Sequence, residues 1–449
     1  MHYRNKSILS SLKAKPYFKP FVLLSVIVTG FLIGSGMPIF MAIIEFLGKN
    51  IPNQFISQDY VNGFGVAVIL GAIVSILIAF GIFEGIMLPL WILRCVITLG
   101  FMLLYENRYH FLDAYTYFNS GKDFIASDLS FGHGSSVVLW LSSLVKKFPL
   151  FNSYHATKVL WSFIGFIGCF LFYQSYTQYT GKKNILLLLF IGTFPSIIFW
   201  SSILGKDPIV FFGIGLFMYR AMSNLKIFSL KYFLFMLIGA LIASSIRVWL
   251  APIFFIPFAF THLVNSKQKT TTKVVILGVF SIVALVGFKY TAEHFGIQSS
   301  RDIIQTSNKV SKSWNRGGSA NDDIPEFRSF KDIILFAPKG MFTAIFRPLP
   351  GEVRNAFGLI AGLENLFLLL FVLNSLYKNR QNFRTNKSVQ LCVFTVLLWS
   401  FLYGLVSYQN LGTAVRFKLQ ILPLLLMIPF FSEYYSVKKQ TENLKTSKN

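Results

Sequence analysis

Charge is scarce in this chain. Only 13% of its 449 residues are Asp, Glu, Lys or Arg, and just 18 of them are acidic. A soluble protein of this size carries roughly a quarter of its residues as charged groups to cover its surface, so the composition excludes an ordinary soluble domain. Cysteine is scarcer still: Cys95, Cys169 and Cys392 are the only three, all inside apolar runs. That placement argues for neither a disulfide framework nor a thiolate metal site. There is no internal repeat of the kind that paired transporter halves leave. The basic residues are dispersed and accompany no nucleic-acid-binding module, so nucleic acid is not an expected partner.

What the chain has in quantity is apolar sequence, 54% hydrophobic with 50 Phe, and a net charge of +24. The apolar residues fall into runs at about 21–47, 64–83, 88–105, 154–175, 185–201, 207–222, 230–246, 248–263, 273–289, 356–375, 389–408 and 419–435, which predicts about twelve membrane helices. The basic leader to Pro20 feeds an apolar run too long for a signal-peptide core, so it reads as an uncleaved first span. Arg4, Lys6, Lys13, Lys15 and Lys19 precede that run. Lys182 and Lys183, Arg220 and Lys226, Lys267, Lys269 and Lys273, Lys378, Arg380, Arg384 and Lys387, and Lys438 and Lys439 occupy alternate links. The positive-inside rule then places both termini in the cytoplasm of a cell inner or plasma membrane, where these links also meet anionic membrane lipids. The expected fold is one all-α polytopic membrane domain over residues 1–449. Two large external loops are expected, at 106–153 and 290–345. In the first, the stretch Ser135 to Phe148 is too short to span comfortably and reads as an interfacial helix anchored by Trp140, with an ordinary short span as the alternative. The second, with SKSWNRGGSANDDIPEF at its centre, is expected to be irregular, as either a lid or a plain surface excursion.

The remaining ionisable residues collect on the face opposite the basic links. Asp113, in HFLDAYTY, would share a helical face with Tyr117. A carboxylate at a membrane boundary, shielded by aromatics, can serve as a general base, although Asp113 could equally cap a helix or lie in open water. No Asp-x-Asp pair occurs in this loop, so a divalent metal is possible but not indicated. In the run from Phe194 to Pro208, Pro195 should kink the fifth span, and Gly205 and Pro208 bracket a sharp turn. Asp207 can cap the next helix, whereas Lys206 beside a helix N-terminus could hold a phosphate. Arg247 is either a snorkelling boundary arginine or a phosphate ligand. Arg347, in the rigid RPLPGE approach, and Glu352 form either a loop clamp or part of a cavity wall. Glu364 and Asn365 lie within an apolar helix and are expected to steady Arg347 or Arg416 rather than take part in chemistry. Arg416, near Asn410 and Gly412, would oppose the dipole at the start of the last helix unless an anion faces it.

The segment around Asp113, the Phe194–Asp207 hairpin, the Arg-Pro-Leu-Pro approach at Arg347 and the stretch from Asn410 through Arg416 to Pro423 together resemble the GT-C superfamily of membrane glycosyltransferases. The likeness is to those that use polyprenyl-phosphate-linked sugars in bacterial envelope glycan pathways, and it covers roughly residues 106–425. The resemblance implies a GT-C-like helix bundle that moves a sugar from a polyprenyl-phosphate carrier to a glycan or lipid acceptor on the extracytoplasmic face. Asp113 would be the carboxylate of the first large loop that activates the acceptor as base, and Lys206, Arg247 and Arg416 would bind donor phosphate, with Asp207, Arg347 and Glu352 beside them. One departure stands out: the acidic loop follows the third span, where the family places it after the first. A polysaccharide polymerase or ligase, and a transporter or flippase of envelope precursors, are the alternatives. The alternation of basic links makes a direct prediction. Cysteines introduced at Lys182, Lys267 and Arg380 should all label from the cytoplasmic side, and external labelling at any two would overturn the topology and the single-faced site built on it.

Overall fold

The computed structural model describes residues 38–446 apart from 122, 265–269, 315–319, 321–324, 354, 379 and 381–385. The basic leader, most of the expected first span, Lys267, Lys269 and Arg384 lie outside the described residues. Within them, every regular element is helical. In chain order these are α1 (Pro38–Leu47), α2 (Ile56–Ala79), α3 (Met87–Val96), α4 (Met102–Arg108), α5 (Asp113–Ser120), α6 (Gly134–Lys146), α7 (Tyr154–Thr180), α8 (Ile185–Thr193), α9 (Pro195–Trp200) and α10 (Lys206–Lys226). There follow α11 (Leu230–Ile246), α12 (Leu250–Val264), α13 (Thr270–Phe295), α14 (Ser300–Trp314), α15 (Phe330–Phe346), α16 (Ala356–Lys378), α17 (Lys387–Ser407), α18 (Leu411–Lys418) and α19 (Leu422–Thr446). A π-helical turn, Ile97–Phe101, joins α3 to α4.

The protein is an all-α multi-pass membrane protein. Among the described residues six helices are long and apolar enough to cross a bilayer: α2, the continuous α3–α4, α7, α10, α16 and α17. A seventh span arises if α18 and α19, bent by 55° at their junction, cross as one unit. The expected spans 230–246 and 248–263 form helices of nearly those bounds, and both fall short of a full perpendicular crossing. The apolar helices α11 and α12 have 17 and 15 residues, or about 26 and 23 Å at 1.5 Å per residue, against a hydrocarbon core of about 30 Å. The expected span 185–201 is not merely kinked by Pro195. It breaks into α8 and α9, because the proline ring forces Phe194 out of the helical region to ψ 123°.

The interior is centred on α7 and α10, whose apolar windows are 72% and 78% buried, against 28% for α2. The start of α7 is fixed from two sides. Ser153 accepts the backbone N–H of Ala156, and Asp59 of α2 accepts those of Tyr154 and His155, each at 2.8 Å. A carboxylate there satisfies orphan donors and complements the helix dipole. Gly181, at φ +71°, closes the other end in the left-handed conformation that favours glycine. Between α10 and α11 the approach is backbone to backbone. A Cβ on Gly213 would stand 2.8 Å from both Ala243 N and Gly239 O, the close packing that small residues permit between membrane helices.

The insert 290–345 departs from the irregular loop its composition suggested. Around its polar centre, most of which lies outside the described residues, it forms the end of α13, all of α14 and most of α15. Local capping outweighs composition here. The Asp302 carboxylate accepts the N–H groups of Gln298 and Ser299, and that of Asp332 accepts Arg328 and Ser329. These backbone donors hold both acids below the usual carboxylate range.

Because the Gly213 contact is with backbone that cannot yield, Gly213→Val should lower the thermal stability of the detergent-solubilised protein by at least the ~1–3 kcal/mol of ordinary overpacking. Gly65→Ala, where an added Cβ meets nothing within 4 Å, should leave stability within about 0.5 kcal/mol or raise it slightly. Equal unfolding temperatures for the two variants would contradict the packing of α10 on α11.

Candidate functional site

The site is built around the turn between α9 and α10. This turn is wedged against α7 at Gly165, where a Cβ would lie 1.9 Å from the Ser201 carbonyl oxygen. Arg94 of α3, 1% exposed, reaches the same turn. Its Nε donates to Ser162 Oγ (3.1 Å), Nη1 to Cys169 Sγ (3.5 Å) and Nη2 to Ser201 Oγ. Ser162 passes the contact on by donating to Ser202 Oγ (3.1 Å). At the opposite end of α9, Glu364 of α16 accepts the backbone N–H of Ser196 (2.7 Å). An acid at the helix start and a guanidinium at its end both oppose the half-helix dipole favourably. The sequence suggested that Glu364 would steady Arg347 or Arg416. It pairs with neither, because its nearest donor is the amide that Pro195 leaves free at the start of α9.

One residue into α10, Asp207 gathers two arginines from distant segments. Its carboxylate is 3% exposed; Arg416 Nε donates to Oδ2 at 2.6 Å, and Arg247 Nη2 lies 3.7 Å from Oδ1. Asp207 therefore does not cap α10, whose N-cap, Gly205, carries no side-chain bond. Arg247 is not a snorkelling boundary residue. It is 7% exposed, with its guanidinium 3.9 Å from the Phe417 ring centre and Nη1 donating to Tyr403 Oη (3.2 Å). Trp249 Nε1 donates to the same hydroxyl (2.8 Å). Arg416 sits in the last turn of α18, which Asn410 caps through Thr413 N, so the helix dipole favours it there. Its guanidinium also faces the Trp200 ring at 5.5 Å.

The rim of this pair is more open. Asp113 is the first residue of α5, and its Oδ2 lies 4.0 Å from Arg416 Nη1 with the side chain 68% exposed. The aromatic shield expected around it is therefore partial. Tyr117, one turn on, is buried, and desolvation raises its phenol above the ordinary range, which keeps it protonated 3.5 Å from Ser135 Oγ. Lys206 is half-buried and lies within electrostatic reach of Asp113, Arg247, Arg416 and Asp207. Among the described residues nothing forms a hydrogen bond or ion pair with its ammonium. Three cations (Lys206, Arg247, Arg416) thus face two carboxylates (Asp207, Asp113), leaving one positive charge in excess.

Arg347 and Glu352 stand apart from this group. Arg347 Nε donates to both Glu352 oxygens (2.8 and 3.0 Å), and Glu352 also accepts Leu349 N (2.6 Å), which makes the pair a clamp on the approach to α16. Lys418, two residues beyond Arg416, ties this approach to α18 by donating to the Arg347 carbonyl (3.3 Å) and to Asn365 Oδ1. Arg94, Tyr403, Trp249 and Trp200 join the site without having stood out in the sequence. The signal available for Arg94 was a lone arginine inside an apolar run, which is costly unless it has work to do. A buried ion pair, Lys158–Glu106 at 2.8 Å, into which Tyr154 Oη donates at 2.6 Å, did not stand out either.

Chemically, the cluster is rich in cations and flanked by aromatic rings, with one exposed carboxylate and one uncommitted lysine at the head of a 21-residue helix. It suits a singly or doubly charged oxyanion. Among the described residues no three His, Cys, Asp or Glu side chains are grouped as a metal cage would require. Comparison of the chain with protein-family models, with curated proteins and with solved structures gives no match.

Removing the shared carboxylate should strand two arginines. Asp207→Asn is expected to destabilise the protein by about 3–5 kcal/mol, the range for breaking a buried pair. A double-mutant cycle with Arg416→Gln should return a coupling of about 0.5–3 kcal/mol. Additive effects in that cycle would show that the Asp207–Arg416 contact carries no interaction energy.

Proposed function

We propose that the protein is a membrane glycosyltransferase that moves a sugar from a polyprenyl-phosphate carrier to an envelope glycan or lipid acceptor at the extracytoplasmic face. The observation that carries this reading is the convergence of Lys206, Arg247 and Arg416 around Asp207, with the exposed carboxylate of Asp113 beside them. The sequence resemblance to GT-C enzymes supplies the reaction class. The acceptor hydroxyl attacks the anomeric carbon and gives its proton to Asp113, while the bond from that carbon to the phosphate oxygen breaks and the polyprenyl phosphate leaves with the electron pair. Charge builds on the leaving phosphate, and preorganised cations there are the largest electrostatic contribution available to such a step. Lys206 and the α10 N-terminus make the first contact with the phosphate, and Arg416 and Arg247 stand behind it. Asp113 is exposed where an acceptor arrives from water. Arg347 and Glu352 hold the approach to α16 and stay outside the donor shell.

A transport reading draws on a different observation: the buried charges Arg94, Glu364 and Lys418 flank a broken helix, a pattern shared by transporter binding sites. The two readings part in one assay on purified protein in proteoliposomes, with a polyprenyl-phosphate sugar donor and an acceptor. Transfer predicts a new glycosidic product. Asp113→Asn should cut turnover by roughly two to four orders of magnitude while donor affinity holds. Arg416→Ala should weaken donor binding by about 1.5–3 kcal/mol, partly recovered by Arg416→Lys. Near-normal turnover in Asp113→Asn removes the base role. Movement of intact donor across the bilayer with no product replaces transfer by transport.

A further inference from the structure

Away from the charged recess, the C-terminal end of α6 and the short 3-10 turns on either side of the helix (Ala126–Asp128 and Pro149–Phe151) border a groove of about 480 Å³. Its walls include Phe124, Trp140, Ser143, Lys146, Lys147 and Asn152. Trp140, Lys146, Lys147 and Asn152 carry N–H donors, two of them are cations, and among the described residues no Asp or Glu lines the space, while the Ser143 hydroxyl is donated to the Trp140 carbonyl. Such a lining selects an anion, and the volume falls within the range of small-ligand sites. Lys146 is a fixed part of the wall: its ammonium donates to the Phe118 carbonyl and lies 3.5 Å from the Phe118 ring centre. Lys147 is exposed at the groove.

The residues that alternate with this lining along the chain are apolar and uncovered. Ile125 is 65% exposed, Phe148 62% and Leu150 47%. They belong to connecting segments, not to spans, and a cluster of bare apolar side chains beside a tryptophan and lysines is the composition of a membrane-interface contact. A ligand that satisfies both halves has an anionic head and an apolar body. We propose that this groove seats the phosphate headgroup of an anionic glycerophospholipid, with Lys147 and Asn152 facing the phosphate and Ile125, Phe148 and Leu150 entering the acyl boundary. The site is separate from the sugar-transfer reading and stands whether or not that reading holds. At the other end of α6, about 20 Å away, Gly134 packs against the Lys206 side chain, whose Cδ would lie 3.2 Å from an added Cβ. The lipid therefore anchors the far end of a helix whose near end touches the charged recess.

The test uses the full-length protein in lipid nanodiscs and a phosphatidylglycerol probe with a photoreactive headgroup, and maps adducts by mass spectrometry. Adducts are expected within residues 124–152. Occupancy should fall roughly fivefold in Lys147→Gln and roughly 25-fold in Lys147→Glu, following the contribution of each cation near an anionic lipid. Lys231→Glu, at an exposed lysine elsewhere, should leave the labelling unchanged, and Asn152→Asp offers a second charge change should Lys147→Glu fail to fold. Excess inorganic phosphate should not compete. Labelling that is indifferent to the Lys147 and Asn152 changes, equal labelling by a phosphatidylcholine probe, or displacement by inorganic phosphate would each overturn the proposal, the last by showing a site for soluble anions.

Discussion

The arrangement depends on a single buried carboxylate. Asp207 stands at the head of the most enclosed helix and accepts one arginine from the α11–α12 junction and another from α18. Without it, two guanidiniums and the Lys206 ammonium would repel one another at a largely buried point where solvent screens them weakly. With it, the repulsion is offset, and three segments far apart in sequence share one fixed point. The aromatic faces of Phe417 and Trp200 add cation–π contacts to the same two guanidiniums. These rings also occupy space that water would otherwise fill.

The turn that presents Lys206 and Asp207 needs support of its own, because a broken helix exposes backbone groups that lipid cannot satisfy. Glu364 takes up an amide at the start of α9, and Arg94 and Ser162 hold the hydroxyls that follow its end. Gly165 makes room for the turn against α7. A rigid break is what distinguishes a site from a hinge, and here its rigidity comes from groups in three other helices.

Much of this was legible in the sequence, but unevenly. The apolar runs and their scarcity of charge identify a multi-pass helical protein without ambiguity, and the residues that meet at the recess, Asp113, Lys206, Asp207, Arg247 and Arg416, stand out as ionisable groups where membrane burial needs none. Their partners do not. Local rules made Asp207 a cap and Arg416 a dipole misfit, because a sequence shows what lies four residues away but not what lies 209 residues away. Arg347 and Glu352 found each other, five residues apart, because that contact is local. Glu364, Arg94 and the Glu106–Lys158 pair were opaque for the same reason as Asp207. The helices of the 290–345 insert were hidden differently: aspartates three or four residues from free amides cap helices, while the surrounding composition reads as loop.

The two carboxylates that face Arg416 differ in a way that orders the proposed reaction. Asp207 is buried and bonds Nε at 2.6 Å, whereas Asp113 is 68% exposed and approaches Nη1 only to 4.0 Å. A phosphate entering the recess competes for the same guanidinium, and the weaker, wetter partner is the one it displaces. Surface pairs of this kind contribute little stability, so the exchange costs little. Donor binding would thus free Asp113 from the arginine, while Asp207 keeps that arginine in place. In the proposed reaction the excess positive charge supplied by Lys206 would draw the phosphate in, and a second carboxylate as well held as Asp207 would remove that attraction.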